Sequence, residues 1–455
     1  MDYLCNNRFD VSSRREFLTK TGMGVGGLAL GSLLQEIQAE DKSGLLPRQA
    51  PLPHKAKAVI HIFASGAPSH LDTFDWKPEM KKHSGTSVDG GSREIFATPF
   101  NFTASGKSGI HISDAFPKLQ TVADELCLIN SVTTDVPAHG PAAKFVHTGS
   151  LVLPKPSLGS WVLYGLGSES QDLPGFISMG GGADWRQSSF LPSLFQGSNA
   201  NFNRNSPPNK VLPNLYSEFT SNEVQKNQID LSKKLNLLHE QRVQKDEQLE
   251  ARIKSFELAF KMQAAATDAF DFRKESESTI QEYGTTELGA KLLVARRLVE
   301  RGVRFVQIEA GGWDHHQNVL QNVTRTGGAI DTPVAALIKD LKDRGLLDST
   351  LIIWGGEFGR TVSTAGRVNE QSGRDHHSKV FSMWMAGGGV KGGMRYGKSD
   401  DIGKEVAEDP FTVHDFHATV LRLLGFDHTK LTYRYNGRDF RLTDNFGEVA
   451  KDIIA

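Results

Sequence analysis

The sequence predicts an α/β protein with a mainly parallel sheet flanked by helices on both faces. Three features carry this reading. Five short apolar runs read as buried strands, and helical patterns ending in Gly precede the third and fourth of them. His, Asp and Glu residues gather just beyond the strand ends.

The first run is Ala58-Val-Ile-His-Ile-Phe63, which feeds a loop from Ala64 to Asp72. Leu126-Cys-Leu-Ile129 is the second, Arg304-Phe-Val-Gln-Ile-Glu309 the third, Ser349-Thr-Leu-Ile-Ile-Trp354 the fourth and Val380-Phe-Ser-Met-Trp-Met385 the fifth. Leu288, Leu292, Ala295 and Leu298 or Val299 fall at helical spacing before the third, with Gly302 as the stop. Ile330, Val334, Leu337, Ile338 and Leu341 repeat the pattern before the fourth, with Gly345 as the stop. Alternating strand and helix implies parallel pairing with helices covering the sheet. The stretch from about 219 to 283 differs. It is rich in Lys, Glu and Gln, with one apolar stripe of Leu231, Leu235, Leu238, Leu249, Ile253 and Phe256. We read it as a helical insertion packed on the sheet, with a partner-binding coiled coil as the alternative.

The N-terminus reads Ser13-Arg14-Arg15-Glu16-Phe17-Leu18-Thr19-Lys20, followed by an uncharged, Gly-rich apolar run from Met23 to Leu34. This is the layout of a twin-arginine export signal, assigned to residues 1–39. The run is well short of the roughly 20 apolar residues that span a bilayer. Export by that route places the protein in the periplasm or cell envelope, with the twin-arginine machinery as a partner and a cofactor loaded before crossing. Residues 40–57, with Pro47, Pro51 and Pro53, read as a linker, and 58–455 as a single α/β domain.

A chain of 455 residues buries a sizeable core without staples. Of its two cysteines, Cys5 lies in the signal, so Cys127 alone remains and a disulfide within the exported chain is excluded. The formal net charge is −1 with no basic stripe, which argues against a nucleic-acid partner.

Ligands of open α/β sheets bind beyond the carboxyl ends of the strands. There the chain carries His70 and Asp72; Asp135 and His139; Asp314, His315, His316 and Asn318; and Glu357 and Arg360. Asp375, His376 and His377 precede the fifth strand. Carboxylate oxygen and neutral imidazole nitrogen together suit Zn²⁺, Mn²⁺ or Fe²⁺. Single residues of this kind are more often turn formers or helix caps, and no chemical role is assigned to His54, His61, His83, His111, His147 or His428. The pairs His315-His316 and His376-His377, each directly after an Asp, are expected to supply metal ligands or acid/base groups.

These segments resemble the alkaline phosphatase and sulfatase superfamily. The stretch from Arg304 to His316, through Ala-Gly-Gly-Trp-Asp314, looks like the segment that presents an Asp and a nearby His to one zinc. Leu351-Ile-Ile-Trp-Gly-Gly-Glu357 looks like the strand that ends at the second metal, and the run from His377 to Gly389 like the late segment whose His completes the first site. His139 to Gly149 resembles the sulfatase signature, and Thr412 to Gly425 the late sulfatase helix. The closer likeness is to the sulfatase-like family called domain of unknown function 1501, on Gly311-Gly-Trp-Asp314, Gly356-Glu-Phe-Gly-Arg360 and Asn436-Gly-Arg-Asp-Phe440.

The resemblance implies an alkaline-phosphatase-like fold and one or two divalent ions, Zn or Mn. Asp314, His316 and His377 are the implied ligands of the first, and Asp72 and Glu357 of a second. His139 stands where the family nucleophile would be, as a metal ligand or as a nucleophile accepting phosphoryl or sulfuryl directly. Phe358 stands where a second-site His is expected, which leaves His376 or His139 to supply it. Arg360 is expected to hold an anionic ester bidentately, or to form a helix-start salt bridge. The expected function is metal-dependent hydrolysis of a phosphate or sulfate ester, of a small molecule or a polysaccharide. The alternative is a catalytically silent metal- or glycan-binding protein, and a cofactor-independent mutase ranks last because no Ser nucleophile can be placed.

Overall fold

Among the described residues of the computed structural model, nine strands form the central sheet. In chain order they are β1 (Ala58–Phe63), β2 (Leu126–Thr133), β3 (Phe176–Met179), β4 (Ser198–Asn199), β5 (Phe305–Glu309), β6 (Thr350–Gly355), β7 (Phe381–Ala386), β8 (Met394–Tyr396) and β9 (Phe411–Thr412). The structure describes residues 45–88, 90–213 and 265–455, with isolated positions at 223, 224, 227, 230, 231, 234 and 262. The twin-arginine segment and nearly all of the apolar stripe of the insertion lie outside the described residues.

The sheet order is β8-β2-β7-β6-β1-β5-β3-β4, with β9 also paired to β2. β1 pairs in parallel with both β5 and β6, and β5 with β3. β7 runs antiparallel to both of its neighbours, β2 and β6. The fold class is therefore as the sequence predicts, α/β on a mainly parallel sheet.

Side-chain alternation divides each strand between two cores. Ile60, Ile62, Val306, Ile308, Ile352 and Trp354 pack against helices α3 (Glu287–Glu300) and α4 (Val319–Asp343). Val59, Phe63, Phe305, Leu351 and Ile353 face the opposite layer, with α1 (His139–Thr148), α2 (Leu158–Leu166) and α5 (Val413–Leu423). The two expected helices are present, and α4 starts eleven residues before the first apolar position that the spacing picked out, Ile330. Residues 45–57, part of the stretch read as a linker, lie along the body, with backbone bonds from Arg48 to Leu166, Leu52 to Gly425 and Lys57 to Ser349. Among the described residues no helix is long and apolar enough to cross a membrane.

His61 of β1, His147 of α1 and His417 of α5 are buried together in the second core. Burial holds His61 down to about 4 and His417 to about 3, from an ordinary 6.5, and holds His147 well below it. All three are neutral in the fold, while the unfolded chain takes up their protons below pH 6.5. Their contribution is thus present above pH 6.5 and lost as pH falls through 6.5 towards the folded values. We expect the unfolding free energy to drop by several kcal/mol between about pH 6.5 and 4, on the order of 3 kcal/mol from His61 alone. Urea titrations at a series of pH values measure this, and replacing His61 by Gln is expected to flatten the slope.

Candidate metal centre

The parallel strands β1, β2, β5 and β6 end at one edge of the sheet, and β7, running the other way, begins there. Two close approaches draw their loops together. Gly66, after β1, has φ +101°, and a Cβ there would lie 2.7 Å from the backbone nitrogens of Trp313 and Asp314. Gly373 lies so close to His316 that a Cβ would sit 2.0 Å from its carbonyl carbon. A two-residue antiparallel ribbon, Gly359–Arg360 against His376–His377, closes the group. In that ribbon His376 pairs with Arg360 and turns inward, while His377 pairs with Gly359.

Three side chains meet at this edge. Each of His139, Asp314 and His376 offers one ligand atom, and these atoms lie within 4.8 Å of one another, the one such group among the described residues. His139 opens α1, its Nδ1 donating to Glu357 Oε1 at 2.6 Å. His376 Nδ1 donates to the Pro137 carbonyl at 2.9 Å. With both Nδ1 atoms acting as donors, each Nε2 is turned toward Asp314 Oδ1, at 3.3 Å from His139 and 3.4 Å from His376, where an unprotonated nitrogen can ligate an ion. Two such nitrogens and the carboxylate oxygen can share a cation, and without one either ring can take a proton at Nε2 and donate to Asp314. Atoms sharing one tetrahedral zinc, with bonds of about 2.0 Å, stand about 3.3 Å apart. His139 Nε2 and Glu357 Oε2 are moreover buried without a hydrogen-bond partner. The residues therefore fit a divalent ion that takes imidazole nitrogen together with carboxylate oxygen, as Zn²⁺ does.

Around these three stands a set of orienting groups. His316 donates from Nδ1 to Asp375 Oδ1 at 2.9 Å, and its Nε2 lies 2.9 Å from Asp314 Oδ1 and 3.2 Å from His376 Nε2. Asp375 is also paired with Arg93. The hydrogen bond that His139 gives to Glu357 raises the His139 pKa against the opposing effect of burial, which marks a strongly basic donor. Burial pushes Asp314 up, but the Arg360 guanidinium 2.6 Å away overcomes it and holds Asp314 well below the usual carboxylate range. Glu357→Gln is expected to lower ion affinity by about 10–100-fold while leaving the fold intact; zinc titration of the metal-free variant measures it.

The other residues singled out from the sequence lie beside this group or away from it. Asp72 is fully buried, and Arg374 grips it with Nε at 2.7 Å and a second nitrogen at 3.1 Å. His377 points away and donates to the Lys404 carbonyl at 2.6 Å. Glu357 stands behind His139 rather than beside Asp314. Arg360 is buried, and all five of its N–H groups meet protein acceptors: Ala67, Gly66 and Arg374 carbonyls, Asp314 and His316. His315 binds the Gly312 carbonyl, and burial lowers it to about 4. Of the groups around the three, His316, Glu357, Arg360 and Asp375 stand beyond strand ends or beside the His pairs, whereas Arg374, Arg93, Gly66 and Pro137 carry no such sequence signal.

Fold and site together define an α/β protein with a candidate metal centre at the carboxyl edge of its sheet. It belongs to the family described as "Protein of unknown function (DUF1501)", whose model matches residues 56–454. No curated protein matches the chain. Among solved structures it is similar to the PsFucS1 sulfatase from Pseudoalteromonas sp., at 13% identity over 87% of this chain and 70% of that one, with a TM-score of 0.36. The C-terminal periplasmic domain of EcEptC from Escherichia coli, in complex with Zn, matches at 10% identity over 87% of this chain and 96% of that one, with a TM-score of 0.36. Alkaline phosphatase from the Antarctic bacterium TAB5 matches at 11% identity over 75% of this chain and 95% of that one, with a TM-score of 0.29.

Proposed function

We propose that this chain is an exported, metal-dependent hydrolase of phosphate or sulfate esters, including esters carried on polysaccharides. The observation that carries the reading is the convergence of His139 Nε2, His376 Nε2 and an Asp314 oxygen, with both imidazoles held from behind. A divalent ion held there would polarise an ester oxygen and lower the pKa of water to about 7. Asp314 supplies the charge, and Glu357 and the Pro137 carbonyl fix the tautomers and ring planes of the two imidazoles. Arg360 orients Asp314, and His316 ties it to Asp375. In this reading His139 is a ligand and not a nucleophile, because its Nε2 faces the carboxylate. The twin-arginine segment supports export to the periplasm or envelope.

One observation favours the second reading, a catalytically silent metal-binding protein. The Arg360 donors are all engaged within the protein, so this guanidinium is not offered to an anionic ester. The test is to purify the protein from an exporting host, measure its metal content, and assay phosphate and sulfate esters with zinc or manganese supplied. Bound metal with hydrolysis that disappears on chelation supports the hydrolase. Bound metal without hydrolysis of any ester selects the silent protein, and absence of metal refutes both.

A further inference from the structure

We infer that the centre takes a single divalent ion rather than a pair, because fixed guanidinium groups already occupy the carboxylates that a second ion would need. The inference rests on the proposed metal centre and settles its stoichiometry. Asp72 is the clearest case. Both of its oxygens accept from Arg374, Oδ2 also accepts from Ser69 Oγ, and neither Asp72 nor Arg374 is accessible to solvent. Arg374 is itself fixed by the Thr361 and Phe96 carbonyls and lies over the Phe96 ring at 4.7 Å. An ion could enter only by displacing a buried, fully bonded cation.

Asp314 is partly engaged as well. The Oδ1 that faces the two imidazoles also accepts from Arg360, which four other acceptors hold in place, so only Oδ2 of this carboxylate is left for a further ion. Glu357 keeps a partnerless oxygen, yet among the described residues it belongs to no group of three ligand atoms within 4.8 Å. Charge points the same way. Asp314, Glu357 and Asp375 stand against Arg360 and Arg93, a net single negative charge with neutral imidazoles. One divalent ion turns that positive, as an anionic substrate needs, whereas a second would add two more charges beside two fixed cations.

The test titrates the metal-free full chain with zinc and counts ions at saturation by mass spectrometry of the desalted protein. A double variant, Asp72→Asn with Arg374→Met, removes both buried charges together so that neither is left unpaired. We expect one ion per native chain, and one in the double variant with affinity unchanged within about threefold. Two ions per native chain would overturn the inference while leaving the metal centre standing, and two falling to one in the double variant would assign the second ion to Asp72. No zinc bound to the native chain would remove the metal centre and the inference with it.

Discussion

Asp314→Asn is expected to empty the centre. The replacement keeps the shape but removes the one carboxylate that both free imidazole nitrogens face, and an ion held by two neutral imidazoles alone loses most of its charge attraction. Metal content measured on the purified variant should fall to a small fraction of the native value. Hydrolysis of whichever ester the native protein cleaves should fall by about 10³-fold. Arg360 loses its anionic partner as well, but four other acceptors keep it in place, so far-ultraviolet circular dichroism should be unchanged. A variant that retains its metal would show that Asp314 is no ligand.

The second large effect concerns stability. Arg374→Met leaves the Asp72 carboxylate buried, with the Ser69 and Thr98 side chains as donors in place of a charged partner. Breaking a buried ion pair from one side costs about 3–5 kcal/mol, a large fraction of the roughly 5–15 kcal/mol by which domains are stable. Equilibrium unfolding in urea should show this loss. Pairing the change with Asp72→Asn should recover part of it, because the charge left behind is removed too. Equal losses in the single and double variants would mean that packing around Arg374, not the charge, sustains the pair. In the native fold Arg374 and other donors hold Asp72 below the usual carboxylate range although burial pushes it the other way. The contribution of that group is therefore lost only as pH falls through the ordinary carboxylate range and below.

Much of the architecture was legible because strands buried on both faces are continuous apolar runs, and the parallel β1, β5 and β6 have that form, as does the antiparallel β7. β3, β4, β8 and β9 were not. β4, β8 and β9 are two or three residues long and β3 only four, so no periodicity can declare them. Asp314, Glu357 and His376 were legible for a related reason, since each sits where a strand-edge position announces it. What the sequence could not tell was which histidine of a pair turns inward. His376 and His377 are adjacent, and only the register of the ribbon with Gly359–Arg360 decides between them. Nor could it reveal that Asp72 is already claimed, because its partner lies 302 residues away. Arginine positions carry little sequence signal by themselves; their role comes entirely from what the completed fold places against them.

The meeting point at Asp314 has a kinetic consequence. Its neighbours include residues 66, 139, 360 and 376, carried by the loop after β1, a helix and both strands of a short ribbon. No short fragment of the chain contains the centre, and closing it requires chain segments hundreds of residues apart to be in register. Ion affinity should therefore be absent from early folding intermediates and arise only in the final step, making metal uptake a clock for completion of the sheet. If the chain crosses a membrane already folded, its ion is chosen from the metals available on the side where it folds, before the protein meets the compartment in which it works.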